Sequence, residues 1–339
     1  MNAKAIIKDR RFQYIIFGLI LALVPVIQKA GMMKTSTVLI LGSVLIYSIG
    51  TIGLDVLLGD SGLISLGTAG FMGLAAYVSA YCTTVKGLPF EVGAILAVGI
   101  TVVIGALVGL ISLRIQGIYL AIATLIIAEI LLKTFKELVW FTNSYSGQKV
   151  AYPKLLGIFQ LDRNSMYLFV VVVLIFLMII TENMKNSRSG RALNAIRRSE
   201  VAAQAMGVNL LKTRMIAFMY ATTFAAIAGV LYGGLVNFVY PSTWILSLSL
   251  YFMAAVVIGG NRSIPGNILG SFVVFGLPDL VLKKLPVVSE MSGFTMIFTG
   301  VLIILIVLKY PNGLIHLPVQ VISSLKKGSS RKGGEGIHE

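Results

Sequence analysis

From Met215 to Asn261 the chain runs 47 residues without a charged side chain, more than twice the roughly 20 apolar residues that a helix needs to cross a bilayer. Length alone forces a fold-back, and Tyr240-Pro241-Ser242 supplies the turn. Five further charge-free runs are each long enough to span a membrane alone: Thr35–Leu54, Ser61–Val85, Val92–Leu113, Asn164–Thr181 and Met291–Leu308. Of the 339 residues only 12% are charged and 57% are hydrophobic, whereas an ordinary soluble domain is about a quarter charged. The expected fold is all-α, a polytopic membrane protein.

Breaking the apolar runs at charges, Pro and Gly clusters gives ten candidate spans, near 12–28, 35–58, 62–82, 91–112, 117–138, 164–182, 212–236, 244–260, 264–282 and 293–309. An even number puts both termini on one side. On that arrangement 18 of the 28 Lys and Arg residues share a compartment with the termini, and the excess of basic residues assigns it to the cytoplasm. The expected organisation is a basic cytoplasmic N-terminus over 1–11, a transmembrane domain over 12–310 with a cytoplasmic loop at 183–213, and a polar cytoplasmic tail over 311–339. The N-terminal basic segment leads into an uncleaved first helix. The net charge of +15 is explained by an anionic inner leaflet without nucleic acid, and the tail from Ser323 is expected to be disordered and lipid-facing. Cys82, being alone, makes no intramolecular disulfide, and His316 and His338 are too few for a metal or relay site. No cofactor and no metal are expected.

Two non-membrane stretches are too long to be simple turns. The external one, Val139–Arg163, carries Trp140, Tyr145, Gly147 and Pro153 and suits an ordered loop or short re-entrant helix at an external mouth. The cytoplasmic one reads SRSGRALNAIRRSEVAAQAMGVNLLKTR from Ser187 to Arg214. There Ser199 can cap a helix, Glu200 sits in the first turn where the dipole favours an anion, and Gly207 can close it, which defines a short helix over Glu200–Met206. Rimmed by Arg188, Arg191, Arg197 and Arg198, and carrying Ala202, Ala203 and Ala205, this element can insert into a groove of a partner protein. It can equally lie as an amphipathic helix on the anionic leaflet.

Gly59, Gly62, Gly67, Gly70 and Gly73 fall within fifteen residues and predict a broken or kinked helix. Backbone groups freed at membrane depth must be buried in protein or line a wet cavity, and Ser61, Ser65 and Thr68 add hydroxyls beside them. The alternative is close helix packing through small residues. A second interruption holds Gly259, Gly260, Pro265, Gly266 and Gly270, and paired interruptions point to a translocation path. Among acidic residues within spans, Glu129 has Lys133 four residues on for an intrahelical pair, and Asp55 and Asp279 sit near span ends as interfacial groups. Tyr119, Trp140, Tyr145, Tyr240 and Trp244 lie near expected interfaces as anchors. The chain has no Gly-x-x-x-x-Gly-Lys-Ser/Thr phosphate loop; Gly207 to Thr213 lacks the glycine before Lys212 and opens a span. It also has no His-Glu-x-x-His motif and no Ser/His/Asp set, so it is not expected to be an enzyme.

Glu200-Val-Ala202-Ala203-Gln-Ala-Met-Gly207 resembles the coupling loop of bacterial ABC importer permeases. The glycine-rich Gly53–Gly73 segment, Leu113–Leu125 with Arg114, Gly117, Tyr119 and Thr124, Ser187–Ala192 and Val257–Gly266 are similar to segments of the branched-chain amino acid permease family, in that family's order. The resemblance spans roughly residues 45 to 310. It implies a bacterial inner-membrane permease that imports branched-chain or related amino acids. Its implied partners are two ATP-binding cassette ATPase subunits, a second related permease subunit and an extracytoplasmic solute-binding protein. It further implies that Arg191, Arg197, Arg198, Glu200, Ala202, Ala203 and Gly207 couple to the ATPases, and that Ser61, Gly62, Ser65, Gly67, Thr68 and Gly70 border the path. The chain departs from the family where it carries Phe141–Gly147 after the fifth span and Thr68 in place of a common histidine. Urea, short amides, nucleosides or sugars therefore stay open as cargo. The rival mechanisms are an ion-coupled secondary transporter using Asp55, Glu129 or Asp279, and a channel or scaffold.

Overall fold

The computed structural model describes residues 10–31, 33–112, 118–150, 152–155, 159–282, 294–310 and 313–316. Most of the expected N-terminal segment 1–11, the motif residues Leu113–Gly117 and nearly all of the expected tail lie outside them. The described chain is a helical bundle. Its helices are α1 (Arg10–Lys29, interrupted at Leu23 ahead of Pro25), α2 (Thr35–Asp60), α3 (Thr68–Ala80), α4 (Phe90–Ser112), α5 (Ile118–Glu137) and α6 (Arg163–Asn186). Then come α7 (Arg188–Arg198), α8 (Glu200–Ala205), α9 (Leu210–Val236), α10 (Leu246–Gly259), α11 (Ile264–Ser271), α12 (Leu277–Leu282) and α13 (Phe294–Lys309).

Among the described residues seven helices are long and apolar enough to cross a membrane, among them α1, α2, α6 and α9. The other expected spans are shorter or interrupted. The expected 62–82 span starts only at Thr68, because 61–67 is unwound, and α3 then continues through a wide π-type turn at Tyr81–Val85. α11 likewise passes through a wide turn at Phe272–Gly276 into α12.

Helix α3 is the centre of the molecule. It is apolar on every side, and all thirteen residues from Thr68 to Ala80 are buried, the pattern of a helix walled in by others. Its main partner is α9. There a Cβ on Gly229 would lie 2.0 Å from the Met72 carbonyl oxygen, so the two backbones meet without side chains between them. Helices α4 and α5 pack on the other flanks of α3 and turn Ile95, Val103, Ile126 and Ile130 outward. In a membrane these outward faces meet lipid, which is why so many large apolar side chains stay exposed.

Asn186–Arg214 and Arg262 together make one end of the bundle its basic end. The opposite end carries the described parts of the 139–163 segment, where a helical turn at Val139–Thr142 is followed by β1 (Gln148–Lys149), β2 (Lys154–Leu155) and β3 (Phe159–Gln160). β1 pairs antiparallel with β4 (Phe238–Val239) in the register Gln148↔Val239, and β2 pairs with β3. Tyr119, Trp140 and Tyr145 are well exposed, as anchors would be. Trp244 is not: it is 1% exposed, and its ring meets Tyr232 edge-on at 5.3 Å. Gly73 makes the room, since a Cβ there would stand 2.7 Å from Trp244 Cγ.

Candidate functional site

The loop at the basic end is built as three helices, each started by its own cap. Ser187 Oγ accepts from Gly190 N at 3.3 Å, Ser199 Oγ accepts from Ala202 N at 3.2 Å, and Asn209 Oδ1 accepts from Lys212 N at 2.9 Å. Each cap satisfies an amide that the first helical turn leaves orphaned. α8 ends with Gly207 at φ +80°. Gly207 N reaches Gln204 O at 2.9 Å and Val208 N reaches Ala203 O at 3.0 Å, a left-handed glycine stop of the Schellman type. The short helix is thus delimited at both ends by its own sequence.

Its residues divide into two faces. Glu200 accepts a hydrogen bond and ion pair from the buried Arg214 while its own side chain stays 42% exposed, and Ala203 is buried against the rest of the chain, so these two anchor α8 on the bundle. The outward face is Val201 and Met206, 78% and 83% exposed, with Ala202 and Ala205 between them and Gly207 beside them. Sequence reasoning passed over Val201 and Met206; the available signal was two large apolar side chains within the short capped helix and its stop. On α7, Leu193 and Ile196 point inward while Arg191 and Arg198 stay exposed, and Arg191 Nη1 donates to the Asn186 carbonyl at 3.1 Å. Arg197 reaches across to α2, where Nη1 donates to the Gly59 carbonyl.

That contact leads to the glycine break. After a π-type turn at Val56–Asp60, residues 61–67 leave the helix. Gly62 sits at φ +75°, where an L side chain is strained, with Arg197 Cγ 3.6 Å from where its Cβ would be. The freed amides are met by hydroxyls: Leu66 N donates to Thr124 Oγ1 at 2.9 Å, Gly67 N to Ser65 Oγ at 3.3 Å and Ala69 N to Ser249 Oγ at 3.0 Å. Ser61 Oγ donates to the Leu57 carbonyl. Ser65 and Thr68 line one small cavity with Leu57, Phe218 and Thr222, with room for about one water. Gly67 and Gly70 lie against α5; a Cβ on Gly70 would stand 2.9 Å from Ala128 Cα. Ser61, Ser65, Gly67, Thr68 and Gly70 are all buried, and Gly62 is exposed.

The structure also assembles an ionic cluster that local sequence patterns did not indicate. Asp55 is fully buried rather than interfacial. Its Oδ2 accepts from Lys185 Nζ at 2.9 Å and its Oδ1 from the Arg262 backbone amide at 2.7 Å. Asp60, also buried, accepts from Arg262 Nε at 3.2 Å through Oδ1, and its Oδ2 is 3.4 Å from Lys185 Nζ, an ion pair without hydrogen-bond geometry. Arg262 Nη2 donates to Asn194 Oδ1 on α7. Two acids and two bases balance, which is what allows the carboxylates to stay buried. A polar cavity of about 470 Å³ opens beside the cluster, bordered by Arg10, Tyr14, Glu182 and Lys185. Glu129 and Lys133 do not form the expected pair, and Asp279 is half-buried. Among the described residues there is no group of His, Cys, Asp and Glu able to hold a metal ion.

The site thus joins an outward-facing short helix, an unwound segment and an ionic cluster at one end of a membrane bundle. Comparison with known proteins gives relatives of one kind. The high-affinity branched-chain amino acid transport system permease protein LivM of Salmonella typhimurium is 27% identical over 314 residues, covering 85% of this chain and 71% of its own. The autoinducer 2 import system permease protein LsrC of Enterobacter sp. is 27% identical over 305 residues, 84% of this chain and 82% of its own. The permease protein LivH of Salmonella typhimurium is 27% identical over 148 residues, 44% of this chain and 46% of its own. No solved structure matches. Residues 36–307 match the family described as branched-chain amino acid transport system / permease component, and the chain belongs to that family of multi-pass membrane permeases.

Proposed function

We propose that the chain is the membrane subunit of an ABC importer that moves branched-chain or related amino acids into the cell, energised by separate ATPase subunits. The observation that carries this reading is the outward face of α8. A six-residue helix, capped by Ser199 and stopped by Gly207, holds Val201 and Met206 out of an otherwise basic loop. An exposed apolar pair on a capped helix at the end of a membrane bundle suits burial in a partner's cleft. The rim of Arg191 and Arg198 suits an acidic border around that partner's cleft.

On this reading the basic end is cytoplasmic, as are both termini, and the docked partners are two ATPase chains. LivM and LivH are both relatives, which supports pairing with a second related permease. A solute-binding protein would deliver cargo at the opposite end. Ser61, Gly62, Ser65, Gly67, Thr68 and Gly70 would border the path, which needs to bind solute only weakly if the receptor supplies selectivity. The similarity to LsrC favours one second reading, a polar cargo other than an amino acid carried by the same machinery.

Purification from the native membrane in mild detergent tests the docking. The intact chain should bring an ATPase subunit with it, and the Val201→Asp/Met206→Asp variant should lose it while keeping its thermal stability, since both side chains are exposed. An intact chain that emerges without any ATPase would contradict the reading.

A further inference from the structure

We propose that Arg262 is a positioning residue for transport: a three-way bridge that carries movement of the α7–α8 loop into the glycine break at 61–67. The inference rests on the importer reading above, and it concerns a residue and a connection which that reading does not use. Arg262 follows Gly260 in the turn between α10 and α11 and has φ +70°, a left-handed conformation that non-glycine residues adopt only where their surroundings enforce it. Here the enforcing contact is Asp55, which accepts the Arg262 amide at 2.7 Å from within α2.

The backbone so fixed aims the guanidinium at two further elements. Nε bonds Asp60, the last residue before the break, at 3.2 Å, and Nη2 bonds Asn194 on α7. The side chain is 44% exposed, so packing does not hold it; its two hydrogen bonds do. Asn194 is itself tied to its helix by Nδ2 donating to the Gly190 carbonyl at 3.0 Å. Arg197 adds a second strap from α7 to the Gly59 carbonyl. Displacing α7 therefore pulls on Asp60 and Gly59 from two side chains at once, while Lys185 holds Asp55 and Asp60 from α6. Gly62 N and Leu63 N close the end of α2 on the Leu58 and Leu57 carbonyls at 3.2 and 3.1 Å, and the residues just beyond, 64–66, carry no helical backbone hydrogen bond and yield first. Only arginine fits the bridge, because a planar fork can serve a carboxylate and an amide together, whereas an ammonium is a single point charge.

The test uses the chain assembled with its ATPase subunits in lipid nanodiscs and reads two introduced cysteines with a water-soluble maleimide, before and after trapping with ATP and vanadate. Cysteine at Val201 reports docking, and cysteine at Ile64 reports the break. In the otherwise unmodified chain, the ATPases should protect Val201→Cys, and trapping should change the labelling rate of Ile64→Cys at least fivefold. Asn194→Ala, a half-buried site whose loss leaves the buried charges intact, and Arg262→Lys should each reduce that change below twofold while protection at Val201→Cys persists. Asn194→Asp, which keeps an acceptor for Arg262, should retain it. A full response at Ile64→Cys in Asn194→Ala and Arg262→Lys, or no response in the unmodified chain, overturns the bridge and leaves the docking reading standing. Absence of protection at Val201→Cys overturns both.

Discussion

The two glycine-rich segments have similar composition and opposite structures. Around Gly259–Gly270 the glycines keep helical geometry on either side of a tight turn, and their missing side chains let α10 and α11 touch. A Cβ on Gly259 would lie 2.1 Å from the Gly266 carbonyl oxygen, and one on Gly270 would lie 2.0 Å from that of Ala255. Around Gly59–Gly67 the glycines release the helix instead, and Ser65, Thr124 and Ser249 take up the amides. Gly70 and Gly73, just beyond the break, return to the packing role against Ala128 and Trp244. Glycine count alone does not separate a hinge from a seam; what separates them is whether the glycines face another helix's backbone, as Gly259 and Gly270 do, or stand where the helix ends, as Gly62 does at φ +75°. The two segments are joined through Arg262, so one is the rigid mount and the other the yielding part.

The sharpest way to break this pairing is at their junction. Asp55→Ala leaves Lys185 buried without its closest partner and frees the Arg262 amide, and should cost about 3–5 kcal/mol. The thermal midpoint of the purified chain in detergent measures it, and the double variant Asp55→Ala/Lys185→Met should recover part of the loss by removing the orphaned charge. In the seam, Gly270→Leu meets backbone and not a movable side chain, and should cost about 3 kcal/mol with loss of a monodisperse chromatographic peak. In the break, Gly62→Ala meets only Arg197 Cγ, at an ordinary contact distance of 3.6 Å, and suffers mainly from its positive φ, so about 1–2 kcal/mol is expected. If Gly270→Leu proved as mild as Gly62→Ala, the distinction between seam and hinge would fail.

Much of the local design was legible in the sequence. Ser199 and Gly207 delimit α8 because caps and left-handed stops are properties of a few adjacent residues, and the unwound 61–67 follows from glycine density. Contacts between distant segments were not legible. Lys185 meets Asp55 across 130 residues and Arg262 meets it across 207, and no periodicity reports such pairings, so Asp55 read as interfacial. Trp244 read as an anchor because its neighbours in sequence look interfacial, whereas its burial is set by Gly73 on another helix. The pairing of Glu200 with Arg214, fourteen residues on and in the next helix, likewise follows from how the two helices meet and not from any local pattern.

The most direct test of the central claim is solute uptake by proteoliposomes that hold the chain with its permease partner, ATPase pair and receptor, measured with labelled leucine and with the polar cargo class suggested by LsrC. Accumulation above the external concentration should require ATP on the ATPase side, should vanish with Val201→Asp/Met206→Asp, and should ignore collapse of the proton and sodium gradients. Accumulation by the chain without ATPases, driven by an ion gradient, would contradict the account.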